Sequence, residues 1–402
     1  MAKLKSATRQ SRLLGKKPAL AEMLHVGRPN IGNRQTFDRL VDGIFERRWF
    51  TNNGQLVREF ESRLCDYLGV RHCIAVCNAT VGLQIACHAL ELKGEVIVPA
   101  FTFVATAHAL QWERLVPIFA DVDPLTHNID PKNVETLITE DTSAVMGVHL
   151  WGRPCDTEAI DEIAKRYGLD VLYDAAHAFG CRHRGRMIGN FGRCEVFSFH
   201  ATKFFNTFEG GAIATNDDAL AKKIRLIKNF GFSGLDTVIH LGTNGKMPEI
   251  CAAMGLASFE SIDDILAANR TNYESYRACL DGVPGVHMMS YDELEATNWQ
   301  YIILEVDDAT AGLNRDELMT ALREENVLAR RYFYPGCHRM EPYRTLFPRT
   351  LNRLPVTDEL CQRVLCLPTG TSLSPADVET VCEIIRSAVE AALRARRERA
   401  TA

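Results

Sequence analysis

Short apolar runs alternate with helix-patterned segments from residue 70 to about 220, and this alternation limits the available folds more than any other feature of the chain. Residues 72–77, 95–99, 117–121, 144–150 and 170–174 are each long enough for one buried strand. Between them, residues 81–90, 103–112, 133–138 and 156–166 carry apolar side chains at helical spacing. A βαβα order of this kind closes into a largely parallel sheet covered by helices on both faces, so the expected fold class is α/β. Ligands of such sheets gather beyond the carboxyl ends of the strands.

The flanks have a different texture. Amphipathic helices are expected over 35–47 and 55–68, separated by the Asn52-Asn53-Gly54 turn. After a helix near 219–228, glycine-rich loops at 231–234 and 241–246 lead into one helical stretch from 248 to about 278. Strands near 300–306 and 328–332 and helices near 315–325 and 375–394 then read as a smaller α+β domain. The expected organisation is a basic arm over 1–24, a large α/β domain over 25–255 and a small domain over 256–402, with a basic, fraying tail at 394–402. A net charge of -5 argues against nucleic acid as the main partner. The 13 cysteines are scattered and never spaced as CxxC, which favours reduced thiols in a cytoplasm over a disulfide framework or a metal site. The basic first residues are not followed by an apolar run, so neither a leader nor a membrane span is expected.

Chemistry concentrates at the predicted strand ends. Lys203 lies between the β-prone runs 196–199 and 212–215, in a turn closed by Gly210-Gly211. One reading is a snorkelling surface lysine. The other is a desolvated amine whose depressed pKa leaves it neutral and nucleophilic. Asp174 ends a strand, where a buried carboxylate needs a cation or else caps a helix starting at Ala175. His177 reads either as a core histidine or as a group at the edge of a planar ligand. Ala79 and Thr80 open a helix and offer amides and a hydroxyl to a phosphate, although most such turns merely cap. Ser198 precedes Lys203 and can donate to the same phosphate. Phe103 is either a core ring or a ring laid over a cofactor.

Together, residues 98–103, Asp174-Ala-Ala-His-Ala-Phe-Gly180, Ser198-Phe-His-Ala-Thr-Lys203 and Glu209-Gly-Gly211 resemble the sugar aminotransferases of the DegT/DnrJ/StrS family over roughly residues 25–390. The resemblance implies the pyridoxal 5'-phosphate (PLP)-dependent transferase fold of type I, with Lys203 as the cofactor-linked lysine and proton carrier and Asp174 at the pyridine nitrogen. It further implies Phe103 stacked on the ring, His177 near it, and Ala79, Thr80 and Ser198 at the phosphate. Asn244 matches an asparagine lent by the neighbouring subunit, which implies a homodimer with shared sites. Asn78-Ala-Thr80 and Gly245-Lys246 depart from the commoner pattern of the family at the phosphate and substrate contacts.

Those departures, with Trp151-Gly-Arg-Pro-Cys155 and Gly336-Cys-His338, resemble the members that aminate C4 of dTDP-4-keto-6-deoxyglucose with L-glutamate, for antibiotic or surface-glycan sugars. Lys246, Arg330, Arg331, Tyr332 and His338 are the candidates for contacts to the dTDP-linked sugar. Three alternatives remain open: a 3-aminotransferase acting on a 3-keto sugar nucleotide, a sugar dehydratase of the same fold, and a catalytically silent regulatory or scaffold protein. The dehydratases have a histidine where this chain has Lys203.

Overall fold

The computed structural model describes residues 17–292, 295–350 and 353–401; residues 1–16 of the expected basic arm lie outside them. Its central sheet comprises β1 (His72–Val76), β2 (Glu95–Pro99), β3 (Val116–Ala120), β4 (Thr142–Val148), β5 (Asp170–Asp174), β6 (Cys194–Ser198) and β7 (Gly211–Thr215), in the order β1-β7-β6-β5-β4-β2-β3. Every neighbouring pair is parallel except those made by β7, which runs antiparallel to both β1 and β6. The expected α/β class with a mostly parallel sheet is therefore what the chain adopts. The reversal of β7 has a consequence for the site: its first residue, Gly211, arrives where the parallel strands end, opposite Val76 on one side and Ser198 on the other.

Both sheet faces are covered, which is why the strands read as continuous apolar runs. Along β6, Val196 packs into a cluster with Ile74, Val96 and Ile213 beneath α3 (Ala79–Ala89) and α4 (Ala105–Trp112). Its neighbour Phe197 points the other way, into a cluster with Phe60 of α2 (Gln55–Leu68) and Phe259 of α7 (Glu249–Phe259). Burying each such ring contributes about 1.5–3 kcal/mol. Asparagine and aspartate caps fix the helix starts: Asn78 accepts from Val81 N at the head of α3, and Asp156 accepts from Ala159 N at the head of α5 (Thr157–Tyr167). α1 (Arg34–Arg47) lies beside α7, and α6 (Asp218–Ile227) beside α3.

The helical stretch expected over 248–278 is two helices. α7 packs on α1 and α2, whereas α8 (Ile262–Leu280) packs on α10 (Pro375–Thr401); at Ser261, φ -116° and ψ 7° break the helix between them. The smaller sheet is antiparallel, in the order β8 (Val286–Met288), β9 (Ile302–Val306), β10 (Val364–Leu367). α9 (Arg315–Glu324) covers it together with α8 and α10, and Leu20 and Leu24 from the N-terminal segment join its core. Leu24 and His25 pair in parallel with Val327 and Leu328. The expected fraying tail is instead the last turns of α10, where Arg396 Nη1 donates to the Ala309 carbonyl at 2.6 Å. Among the described residues, no helix is long and apolar enough to cross a membrane.

Candidate active site

Lys203 sits in the connection between β6 and β7. Its Nζ donates to the Tyr301 hydroxyl at 3.0 Å, a contact between the large sheet's loop and the residue just before β9. Burial pulls the ammonium pKa down to about 8, against the opposing pull of the Asp174 charge. A sizeable fraction of the amine is therefore neutral near physiological pH, which is the reactive reading of this lysine rather than the snorkelling one.

Asp174 closes β5 and is 5% exposed. Thr106 Oγ1 donates to one carboxylate oxygen at 2.9 Å and the Ala176 amide to the other at 3.1 Å. No helix begins at Ala175, so the helix-cap alternative has nothing to cap. Burial raises the Asp174 pKa above the ordinary carboxylate value, while the two hydrogen bonds and the Lys203 charge oppose that rise. His177 is also buried. Its Nδ1 accepts from the Trp151 amide at 3.3 Å, and its ring centroid lies 4.4 Å from that of Tyr301. Burial, with the Lys203 charge adding to it, pushes the imidazole pKa well down, so the ring is neutral.

A second group converges on Gly211. The Asn78 cap leaves the Ala79 and Thr80 amides, at the head of α3, without intrahelical partners. A Cβ at Gly211 would lie 2.6 Å from the Phe197 carbonyl oxygen and 2.9 Å from the Ala79 nitrogen, so only glycine lets β7 pass this close to the helix start. Ser198 stands directly across the ladder from Gly211. Phe103 is 56% exposed on the connection between β2 and α4, and the core position in that loop belongs to Phe101.

The remaining candidates separate. Asn244 is exposed in a loop pinned by Gly245, whose carbonyl accepts from Cys77 N at 2.8 Å and whose amide donates to Lys228 O at 2.9 Å. Lys246 Nζ lies 4.4 Å from the Phe230 ring centroid. Arg330 is exposed, with its guanidinium 5.4 Å from the ring of Tyr332, which in turn stacks on Trp151. Arg331 pairs instead with Asp316 at 3.1 Å, and His338 is fully buried with Nε2 on Asp358 at 3.0 Å. The structure thus brings Lys203, Asp174 and His177 together, groups Ala79, Thr80 and Ser198 around Gly211, and commits Arg331 and His338 to carboxylates outside both groups. Thr106 and Tyr301 had no signal in the sequence, because each reaches the site through a distant contact rather than a local pattern; Trp151 stood out only as part of the Trp151-Gly-Arg-Pro-Cys155 motif, with no place at the site.

The residues present fit the pyridoxal phosphate that the resemblance implies. Asp174 is a buried carboxylate that accepts two hydrogen bonds but has no cation bonded to it among the described residues, the deficit that a protonated pyridine nitrogen makes good. The amides beside Gly211 suit a phosphate at a helix N-terminus.

The chain is similar to known proteins over most of its length. A dTDP-4-amino-4,6-dideoxy-D-glucose transaminase of Shigella dysenteriae is 40% identical over 368 residues, covering 90% of this chain and 98% of that protein. A GDP-perosamine synthase of Escherichia coli O157:H7 is 34% identical, covering 86% and 93%. The structure of DesI in the presence of its TDP-sugar product matches with a TM-score of 0.91 at 46% identity, covering 96% of this chain and 98% of that one. Residues 33–386 match a single family across nearly the whole described chain, and with this lysine and aspartate in place the protein belongs to the DegT/DnrJ/EryC1/StrS aminotransferase family.

Proposed function

We propose that this PLP-dependent aminotransferase acts on dTDP-4-keto-6-deoxy-D-glucose, with L-glutamate as donor, to give dTDP-4-amino-4,6-dideoxy-D-glucose and 2-oxoglutarate. The observation that carries the choice of substrate is the 40% identity to a relative named for that amino sugar, against 34% to one named for a GDP-linked sugar. Bound pyridoxal phosphate supplies the electron sink and the carrier for the amino group. The chain supplies the proton handling and the orientation. Lys203 Nζ, part neutral near pH 8 and steered by the Tyr301 hydroxyl, takes the proton from the donor's Cα and in the second half-reaction delivers one to the sugar's C4. Asp174, held by Thr106 and the Ala176 amide, keeps a proton on the pyridine nitrogen.

In this reading Ala79, Thr80 and Ser198 anchor the phosphate, and the exposed Asn244 serves the site of a second copy, which makes the functional unit a homodimer. Phe103 covers one face of the cofactor. Arg330 and Lys246, which have no carboxylate partner among the described residues, are the cations available to the sugar's diphosphate; Arg331 and His338 are bonded to carboxylates. The test is incubation with PLP, L-glutamate and dTDP-4-keto-6-deoxyglucose, followed by NMR of the product. An equatorial amine at C4 supports the reading and an axial one replaces the product with its galacto epimer, whereas no conversion of this substrate alongside turnover of a 3-keto sugar nucleotide replaces it with C3 amination.

A further inference from the structure

A line of hydrogen bonds enters the site from the small sheet. Glu305 on β9 meets His127 Nε2 at 3.2 Å, Trp151 Nε1 meets His127 Nδ1 at 3.3 Å, and the Trp151 main-chain amide meets His177 Nδ1 at 3.3 Å. The protons in this line follow from the chemistry of the groups. An indole N–H only donates, so His127 Nδ1 is bare and the single proton of a neutral His127 sits on Nε2, facing the Glu305 carboxylate. A main-chain amide likewise only donates, so the proton of His177 also sits on Nε2. That nitrogen has no partner among the described residues, and the ring lies against Tyr301, which holds Lys203.

Trp151 is the joint of the line. It is fully buried, and its φ of 60° lies in the left-handed region that a bulky side chain avoids unless its surroundings enforce it. Two contacts enforce it: the indole N–H is held by His127, and the ring stacks on Phe333 at 5.2 Å between centroids with 4° between planes. The same backbone conformation aims the Trp151 amide at His177.

We propose that Glu305, His127 and Trp151 are positioning residues that hold His177 as its Nε2–H tautomer and make that setting depend on the seating of the small sheet against the large one. Glu305 contributes the acceptor that fixes the His127 proton, His127 the acceptor that fixes the indole, and Trp151 the amide that fixes His177. The consequence for the cofactor rests on the functional reading above, in which His177 lies beside the ring; the tautomer itself does not.

The experiment uses full-length holoenzyme labelled with 15N-histidine, with long-range 1H–15N spectra to read tautomers and a His177→Gln sample to assign the signal. Wild type and Glu305→Gln, which keeps an acceptor, are expected to show one Nε2–H tautomer at His177. Glu305→Ala and Trp151→Phe are expected to show averaged tautomers, with PLP binding to the apoprotein weakened about tenfold, the scale of one lost hydrogen bond. A single unchanged tautomer in both of these variants overturns the relay. Averaged tautomers with unchanged PLP affinity uphold the relay and remove His177 from the cofactor's contacts. Should Glu305→Ala fail to fold, Trp151→Phe compared with Glu305→Gln decides the matter on the same signal.

Discussion

Two regions of the molecule place basic side chains near strand ends, and they treat them in opposite ways. In the connection after β6, Lys203 is desolvated, its amine bonded among the described residues only to a neutral hydroxyl, and left with a pKa of about 8. On the segment after Val327–Leu328, Arg331 has Asp316, while His338 and Arg339 share Asp358. A basic side chain bonded to a carboxylate, exposed like Arg331 or buried like His338, is tied to the chain by that bond. A buried cation without one has its charged form destabilised, and that deficit makes it a usable base. Proximity to the site does not separate the two classes; the partner does.

The severest way to break this contrast is at Lys203. Lys203→Ala is expected to lower kcat by about 10³-fold or more, the scale for removing a group that acts in the chemical step, with the far-ultraviolet spectrum unchanged. The same residue makes a signed pH prediction for the apoprotein. Its folded pKa of about 8 lies below the ordinary lysine value, so the unfolded chain binds more protons between those two values, and stability contributed by this group rises as pH increases through that window. Lys203→Met should flatten that rise and be more stable than wild type at pH 7, by on the order of 1–3 kcal/mol. Denaturant unfolding across pH 7 to 10 reads both. A slope that survives the substitution would return Lys203 to the ordinary surface class.

How much of this was legible in the sequence follows from how each residue is placed. Asp174, Lys203 and Thr80 are set by strands whose apolar runs repeat along the chain, so their positions at the ends of β5, β6 and β1 can be read from periodicity and flanking glycines. The resemblance then supplied roles that the spacing alone left open. Tyr301 and Thr106 reach the same point across sequence separations of 98 and 68 residues, and no local pattern encodes such a meeting. For Arg331 and His338 the sequence displayed charge but not partners, since Asp316 and Asp358 lie 15 and 20 residues away on other elements. The short strands β8 and β10 and the buried Leu20 and Leu24 escaped because 3–4-residue strands and single leucines carry no period.

A smaller effect is expected at Gly211, where the cradle side of the comparison can be tested without touching a charge. The added methyl of Gly211→Ala would meet two backbone atoms, the Phe197 oxygen at 2.6 Å and the Ala79 nitrogen at 2.9 Å, and neither can swing aside as a side chain would. Overpacking of this kind costs about 1–3 kcal/mol. If the strain falls on the helix start, PLP affinity measured by titrating the apoprotein drops about tenfold to a hundredfold while Lys203 keeps its depressed pKa. Wild-type affinity in a folded Gly211→Ala protein would detach the cradle from the phosphate.

The smallest functional effects should come from the second region, and they sharpen the contrast because they split stability from binding. Asp358→Ala leaves buried His338 and the Arg339 guanidinium without their shared acceptor, so unfolding free energy should fall by about 1–3 kcal/mol, with KM for the sugar nucleotide within twofold of wild type. Arg330→Ala removes an exposed cation with no carboxylate partner among the described residues, so stability should stay within about 0.5 kcal/mol while KM rises about threefold to tenfold and kcat holds. Two assays on two proteins decide it: thermal unfolding and steady-state kinetics. Carboxylate-bonded basic groups belong to the scaffold only if the two substitutions move different assays; a raised KM in Asp358→Ala with an unmoved KM in Arg330→Ala would reverse the assignment and make the carboxylate-bonded histidine the substrate contact.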